Sequence, residues 1–166
     1  LFPEIFQRGA LSWLMGDLSL GSFRALWPLP IYFLISFAFI YYHSGALNAL
    51  TLGEESAHYL GVEAGVVRNR LLVVTSLMTA VAVAMSGVIG FVGLIVPHGI
   101  RLIFGPDHRL LFPLSALMGA SFLVMADAVA RVAVAPGELP VGVVTALCGS
   151  PFFIYLLRKA RERSYF

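Results

Sequence analysis

Within residues 90–109, GFVGLIVPHGIRLIFGPDHR, two ionisable side chains interrupt the apolar stretch that precedes the polar end PDHR. His98 and Arg101 are three residues apart, so they share one face if the segment is helical. Ionisable groups within a membrane segment are candidates for catalysis or proton transfer. A structural explanation is that both lie near one end of a short helix, where the arginine reaches the membrane surface and the histidine caps the helix. We favour the structural explanation because no nucleophile or second acid stands immediately beside them.

Asp127 and Arg131 form a second candidate pair near the end of another apolar segment. Their four-residue spacing lets them form an ion pair on a helix. Arg131 also has a possible binding role. On the outer face of the membrane it would meet an acidic group on a molecule that arrives from outside. Both roles hold together if Asp127 orients Arg131.

Metal and cofactor chemistry has little support in the sequence. Its four histidines show no paired ligand spacing, and they are His43, His58, His98 and His108. The single cysteine, Cys148, excludes a disulfide within the chain and a paired-thiol metal site. We therefore expect no metal, no cofactor and no catalytic residue.

The composition places these residues in a membrane protein. The chain has 166 residues, of which 59% are hydrophobic and 12% are charged, and its mean hydropathy is +0.88. Soluble domains carry about a quarter charged residues, so too few ionic groups are present to solvate a water-exposed surface. The net charge of +2 is too small to suggest nucleic acid as a partner. Because the chain begins at Leu1, we expect it to be a fragment of a longer polytopic protein.

The apolar runs predict an all-α transmembrane bundle in one domain, residues 1–166, with about four full spans and one short half-helix. The run at residues 71–100 lacks Asp, Glu, Lys and Arg, and as one helix it would be about 45 Å long, too long for a single crossing. We therefore expect a turn at Gly90 to Gly93 and a returning half-helix that ends at Phe104. The predicted spans are residues 26–42, 70–89, 110–134 and 139–157, after an outer-face interfacial helix and loop at residues 1–24.

The distribution of positive charge sets the expected orientation. Eight of the 11 Lys and Arg residues fall on one side of this topology, and the positive-inside rule makes that side cytoplasmic. The loop at residues 51–69 lies there. In it, Gly53 and Gly61 bracket EESAHYL, with Glu54 and Glu55 near the N-terminus, where a helix dipole favours anions. The loop is either a solvated connector or a short helix, with a modest apolar face of Ala57 and Leu60, that docks into a groove of a partner protein.

Three long collinear motifs carry a family resemblance: LGEESAHYLGVE, GVIGFVGLIVPHGIRLIFGPDHRLLFPLSALMGASFLVMADAVAR and ELPVGVVTALCGSPFFIYLLRKAR. They resemble the FecCD-type permease subunits of binding-protein-dependent ABC importers for iron-siderophores, haem and cobalamin. The resemblance covers nearly the whole chain. It implies a multi-pass subunit of the cell inner membrane with ten spans, of which this chain would be the second half.

The resemblance also implies roles for individual residues. Two cytoplasmic ATP-binding subunits would bind the coupling loop, and its residues are Gly53, Glu54, Glu55, Ala57, Leu60 and Gly61. Arg131 would receive a glutamate of an extracytoplasmic substrate-binding protein. A second permease subunit would complete a homodimer. A structural bend would comprise Gly90, Gly93, Pro97, His98 and Arg101.

Two alternatives belong to other classes of protein. An intramembrane enzyme would use His98, Asp127 or Ser86 as acid, base or nucleophile. An ion-coupled secondary transporter would need a carboxylate at mid-depth in the membrane, and Asp127, the candidate, lies close to the outer end of its span. The absence of the ATP-binding motif GxxxxGKS or GxxxxGKT agrees with a transport scaffold that is energised by a separate ATPase.

Overall fold

The computed structural model describes residues 13–16, 18, 27–133 and 139–163. Within these residues the regular structure is helical, and no strand occurs. Seven helices of six or more residues are described: α1 Leu29–Tyr42, α2 Ser44–Leu50, α3 Glu54–Tyr59, α4 Ala64–Ser86, α5 Val92–Phe104, α6 His108–Ala133 and α7 Val141–Arg163. The predicted all-α class is confirmed. Most of the interfacial helix predicted before residue 24 lies outside the described residues.

The lengths of these helices give fewer clear spans than the four expected. Among the described helices, α4 and α6 are long and apolar enough to cross a membrane. Helices α1 and α2 add a third span if the pair, bent by 43°, is counted as one. Helix α5 and the apolar part of α7 are shorter. The count of four full spans therefore stays a prediction.

The predicted break in the long apolar run is present, but it lies earlier than expected. Helix α4 ends at Ser86, and α5 begins at Val92. Gly87 has a φ of +68° and Phe91 a φ of +66°, so the helical path is broken between them. A positive φ is easy for glycine and costly for a side-chain-bearing residue such as phenylalanine.

This placement corrects the predicted bend. Of its five residues, Gly90 lies between the two helices, whereas Gly93, Pro97, His98 and Arg101 lie inside α5. Pro97 removes the N–H that would bond the Gly93 carbonyl. The defect falls within the first two turns of α5, so the helix continues past the proline to Phe104.

Two other boundaries differ from the sequence-based prediction. Helix α6 starts at His108, so the turn predicted over residues 105–109 is three residues long. Helix α7 continues to Arg163 and takes in most of the basic tail. Lysine, arginine, glutamate and alanine are strong helix formers, so the end of the apolar run does not end the helix.

Helix α6 is in contact with α2, α5 and α7. Helix α5 packs against both α6 and α7, while α2 contacts α6 and α3. A small core forms where Ala126 and Ala130 of α6 meet Val141 of α7. Many large apolar side chains elsewhere on the helices stay exposed, which suits surfaces that contact lipid or further helices.

Candidate functional site

The predicted coupling loop contains the short helix α3, bounded by the two glycines that the sequence indicated. Gly53 has a φ of +105° and a ψ of 152°, a backbone region that is essentially restricted to glycine. Gly61 has a φ of +78°. Its N–H donates to the His58 carbonyl (2.9 Å), and the Val62 N–H donates to the Ala57 carbonyl (2.9 Å). This pair of bonds is a Schellman motif, which ends the helix sharply.

The two faces of α3 differ in burial, and this corrects the predicted apolar face. Ala57 is completely buried, whereas Leu60 is 65% exposed and Tyr59 is 81% exposed. Ala57 therefore fixes α3 to the protein, and Leu60 projects away from it with Tyr59. The exposed side of α3 combines two apolar groups with the acidic first turn of Glu54 and Glu55.

An ion pair connects α3 to the following long helix. The Arg68 guanidinium of α4 contacts the Glu54 carboxylate, and both side chains are mostly exposed. Exposed pairs of this kind contribute about 0–1 kcal/mol. The pair therefore contributes little to the stability of the fold.

A polar junction joins α2 to the turn between α5 and α6. Asn48 Nδ2 donates to Asp107 Oδ1 (2.6 Å), and the His108 N–H donates to Asn48 Oδ1 (2.9 Å). His108 Nδ1 lies 2.8 Å from the same Asn48 oxygen. The Arg109 N–H donates to Asp107 Oδ1 (2.9 Å). Asp107 thus caps α6, and Asn48 accepts from the first N–H of that helix, which has no partner within its own helix.

The capping bonds also affect the ionisation of Asp107. The Arg109 backbone N–H and then the Asn48 side-chain amide donate to the carboxylate, so its pKa lies below the ordinary value of 3.8. Sequence reasoning missed this junction. The Gly-Pro-Asp run before α6 is a helix-start signal that would have identified Asp107, but no local signal points to Asn48.

His98 and Arg101 have different environments on α5. The His98 ring packs edge-on against Phe152 of α7, with ring centroids 5.9 Å apart. Arg101 is exposed. His98 therefore takes part in helix packing. It lies in the middle of α5 and not at the end, where it was expected to cap the helix.

A second contact between α5 and α7 depends on close approach. A Cβ atom built on Gly149 would overlap the Cβ and Cγ atoms of Phe91 and lie 2.6 Å from its Cδ1 atom. The absence of a side chain at Gly149 therefore lets the Phe91 ring lie against the α7 backbone. This contact holds the start of α5 against α7.

At the opposite end of α6, the predicted pair of Asp127 and Arg131 is confirmed. Arg131 Nε donates to Asp127 Oδ2 (2.8 Å), and the side chains are 25% and 52% exposed for Asp127 and Arg131. The carboxylate therefore orients an arginine that remains half accessible.

The three residues of the enzyme alternative each have a different partner within the described part of the chain. The Ser86 hydroxyl donates to the Ala82 carbonyl of its own helix (2.8 Å), Asp127 pairs with Arg131, and His98 packs on Phe152. Among the described residues, no three His, Cys, Asp or Glu side chains are grouped to hold a metal ion.

The long apolar helices α4 and α6, together with the broken apolar run before α5, are typical of a helical membrane protein. Residues 4–159 match the FecCD transport family, and the chain belongs to that family.

Individual relatives are permeases for related cargoes. The chain is 47% identical over 157 residues to the cobalamin import system permease protein BtuC of Halobacterium salinarum, covering 95% of this chain and 42% of that protein. It is 52% identical over 117 residues to the hemin transport system permease protein HmuU of Yersinia pestis, covering 70% and 35% of the two chains. It is 46% identical over 155 residues to the vitamin B12 import system permease protein BtuC of Escherichia coli, covering 93% and 47%.

A solved structure supports the same relationship. An inward-facing structure assigned to the metal-chelate type of ABC transporter matches with a TM-score of 0.83 and 35% identity, over 92% of this chain and 49% of that chain. The chain thus spans less than half the length of the curated relatives it matches.

Proposed function

We propose that this chain is part of the permease subunit of a binding-protein-dependent ABC importer for cobalamin, haem or ferric siderophores, and that it corresponds to the second half of a ten-span subunit. Membership of the FecCD transport family supports this proposal, as do permease relatives for cobalamin and hemin. Its spans would be four full helices and the half-helix α5, in the cell inner membrane. ATP hydrolysis would take place on separate subunits.

The observation that carries the proposal is the exposed face of α3. Buried Ala57 anchors this helix, while Tyr59 and Leu60 project outward beside an acidic first turn. A short helix with apolar and charged exposed residues fits a groove on a partner protein. We infer that this partner is the cytoplasmic ATPase and that its closure around ATP moves α3.

Arg131 supports a second partner at the other end of the molecule. Its guanidinium is half exposed and is oriented by Asp127. A charge-assisted hydrogen bond between arginine and carboxylate is strong and directional, so Arg131 suits capture of a glutamate on the extracytoplasmic binding protein. A second permease subunit would complete the pathway as a homodimer.

The decisive experiment measures ATPase capture by the full permease subunit that contains this chain. The double variant Glu54→Lys and Leu60→Asp reverses a charge and removes an apolar contact on the exposed face of α3. We expect it to lose the ATPase on co-purification and to lose transport. Leu60 is mostly exposed, so its replacement leaves the core intact.

Arg68→Ala is the matched control, because it removes the ion pair with Glu54 and leaves the exposed face of α3 unchanged. This variant should retain the ATPase. If the double variant still binds the ATPase and couples its hydrolysis to transport, then α3 is not the coupling helix.

A further inference from the structure

The Asn48 junction lies one short connection away from α3. Helix α2 ends at Leu50, and α3 begins at Glu54. Backbone hydrogen bonds continue across this gap, from the Leu52 N–H to Ala49 O (3.1 Å) and from the Gly53 N–H to Leu50 O (3.2 Å). With its backbone groups bonded in this way, the connection has little freedom to absorb a displacement of α3.

Thr51 adds a side-chain bond to the same connection. Its hydroxyl donates to the Asn48 carbonyl (2.6 Å). The Ala57 N–H then donates to the Gly53 carbonyl (3.0 Å), which joins the connection to α3 itself. A force applied to α3 is therefore transmitted to Asn48 through bonded backbone.

On its other side, Asn48 holds the hairpin of α5 and α6. Its amide donates to Asp107, and its carbonyl oxygen accepts from the first N–H of α6. The start of α5, at the far end of that hairpin, lies against Gly149 of α7 through Phe91. Asn48 thus connects α3, the proposed coupling helix, to α5, α6 and α7, which pack together.

We propose that Asn48 is a positioning residue that transmits the movement of α3 to the α5–α6 hairpin, and so links ATP hydrolysis to the opening of the transport pathway. The proposal rests on the function proposed above. Asn48 contacts neither ATP nor cargo in this account. It acts through the hydrogen bonds to Asp107 and to the His108 backbone.

The test uses the complete importer reconstituted in liposomes. It compares the single variant Asn48→Asp with a reciprocal exchange, in which Asn48 and Asp107 swap residue types. Asn48→Asp removes the amide donor and places a second carboxylate beside Asp107, but it keeps an oxygen to accept from His108. The double variant Asn48→Asp and Asp107→Asn restores one donor and one acceptor with their positions exchanged. Three quantities are measured: ATPase retained on purification, ATP hydrolysed, and cargo transported per ATP.

We expect Asn48→Asp to retain the ATPase, because the exposed face of α3 is unchanged. Cargo per ATP should fall by at least about fivefold, the lower end of typical coupling between sites. The reciprocal exchange should raise this ratio back towards the wild-type value. A residue that only stabilised the fold would lower assembly and leave cargo per ATP unchanged in the importers that do assemble.

If Asn48→Asp does not assemble, a second pair of variants tests the same hydrogen bonds from the Asp107 side. Asp107 is exposed and lies outside the helices, so Asp107→Ala is expected to fold while it loses both bonds. Asp107→Asn keeps an oxygen acceptor at that position. Cargo per ATP should fall for Asp107→Ala and stay close to wild type for Asp107→Asn.

The possible failures are distinguishable. If Asn48→Asp and Asp107→Ala transport as much cargo per ATP as the wild type, Asn48 does not transmit the movement and only this inference is refuted. If the reciprocal exchange is no better than Asn48→Asp, the hydrogen bond is not the link. A wild-type subunit that captures no ATPase refutes the proposed function and this inference together.

Discussion

The contact between Phe91 and Gly149 gives the sharpest test of how the half-helix α5 is held. We predict that Gly149→Ala destabilises the protein. The new methyl group would overlap the Cβ and Cγ atoms of Phe91. These atoms are at the base of the side chain, so rotation of the ring cannot move them away. Movement of the Phe91 backbone is also restricted, since its φ of +66° is fixed by the turn.

The expected magnitude follows from this geometry. Extra volume in a packed contact typically costs about 1–3 kcal/mol. For a protein of 150–250 residues, each kcal/mol lowers Tm by about 2–4 °C. Thermal unfolding in detergent, followed by fluorescence-detected size-exclusion chromatography, measures the shift. The same methyl group at Gly99 of α5 meets no atom within 4 Å, so Gly99→Ala is the control and should not lower Tm.

A double-mutant cycle shows whether Phe91 is the cause. In a Phe91→Gly background both overlapping atoms, Cβ and Cγ, are absent, and glycine accepts the positive φ of this position. The cost of Gly149→Ala should therefore fall to near zero, with a coupling of about 0.5–3 kcal/mol. Equal costs in both backgrounds would refute the proposed contact. Wild-type stability of Gly149→Ala on its own would refute it as well.

Two further predictions concern the polar residues at the two ends of α6. Because the folded-state pKa of Asp107 lies below its ordinary value of 3.8, its ionised form contributes stability above that value, and the contribution is lost as the pH falls through the lower folded-state pKa. The Tm difference between wild type and Asp107→Asn should therefore stay constant from pH 7 to about pH 5 and shrink below about pH 4. A difference that changes between pH 5 and 7 would contradict a lowered pKa for Asp107. Arg131→Ala should weaken binding of the binding protein to the importer in nanodiscs about tenfold or more, as expected for loss of a charged hydrogen bond of about 1.5–3 kcal/mol. Asp127→Asn should weaken this binding less, and Arg68→Ala should leave it unchanged. If Arg131→Ala binds as tightly as the wild type, Arg131 is not part of the docking surface.

Local patterns in the sequence were sufficient for several features. A 30-residue apolar run without charges has to bend, because a straight helix of that length exceeds the membrane core. Two glycines around EESAHYL indicated a short helix, since glycine adopts the backbone angles at both of its ends. The Asp127–Arg131 pair followed from helical spacing alone. Each of these inferences depends on residues within one continuous segment of the chain.

The exact place of the bend could not be obtained in the same way. Three glycines, Gly87, Gly90 and Gly93, occur within seven residues, and each is locally able to start the turn. The backbone of Trp13 and Gly16 lies so close to Gly87 that a side chain there would overlap it. Phe91, which lies against Gly149 of α7, takes a positive φ that local preference disfavours.

The sequence by itself therefore determined the class of protein, the need for a broken helix and the position of α3, because hydropathy, chain length and backbone preference are properties of short segments. Only the tertiary structure decided which face of α3 is free, that Phe91 lies on Gly149, and that Asn48 bonds to Asp107 across 59 residues. These contacts join helices that are distant in the chain. Their formation depends on how the helices pack, and no local pattern encodes that arrangement.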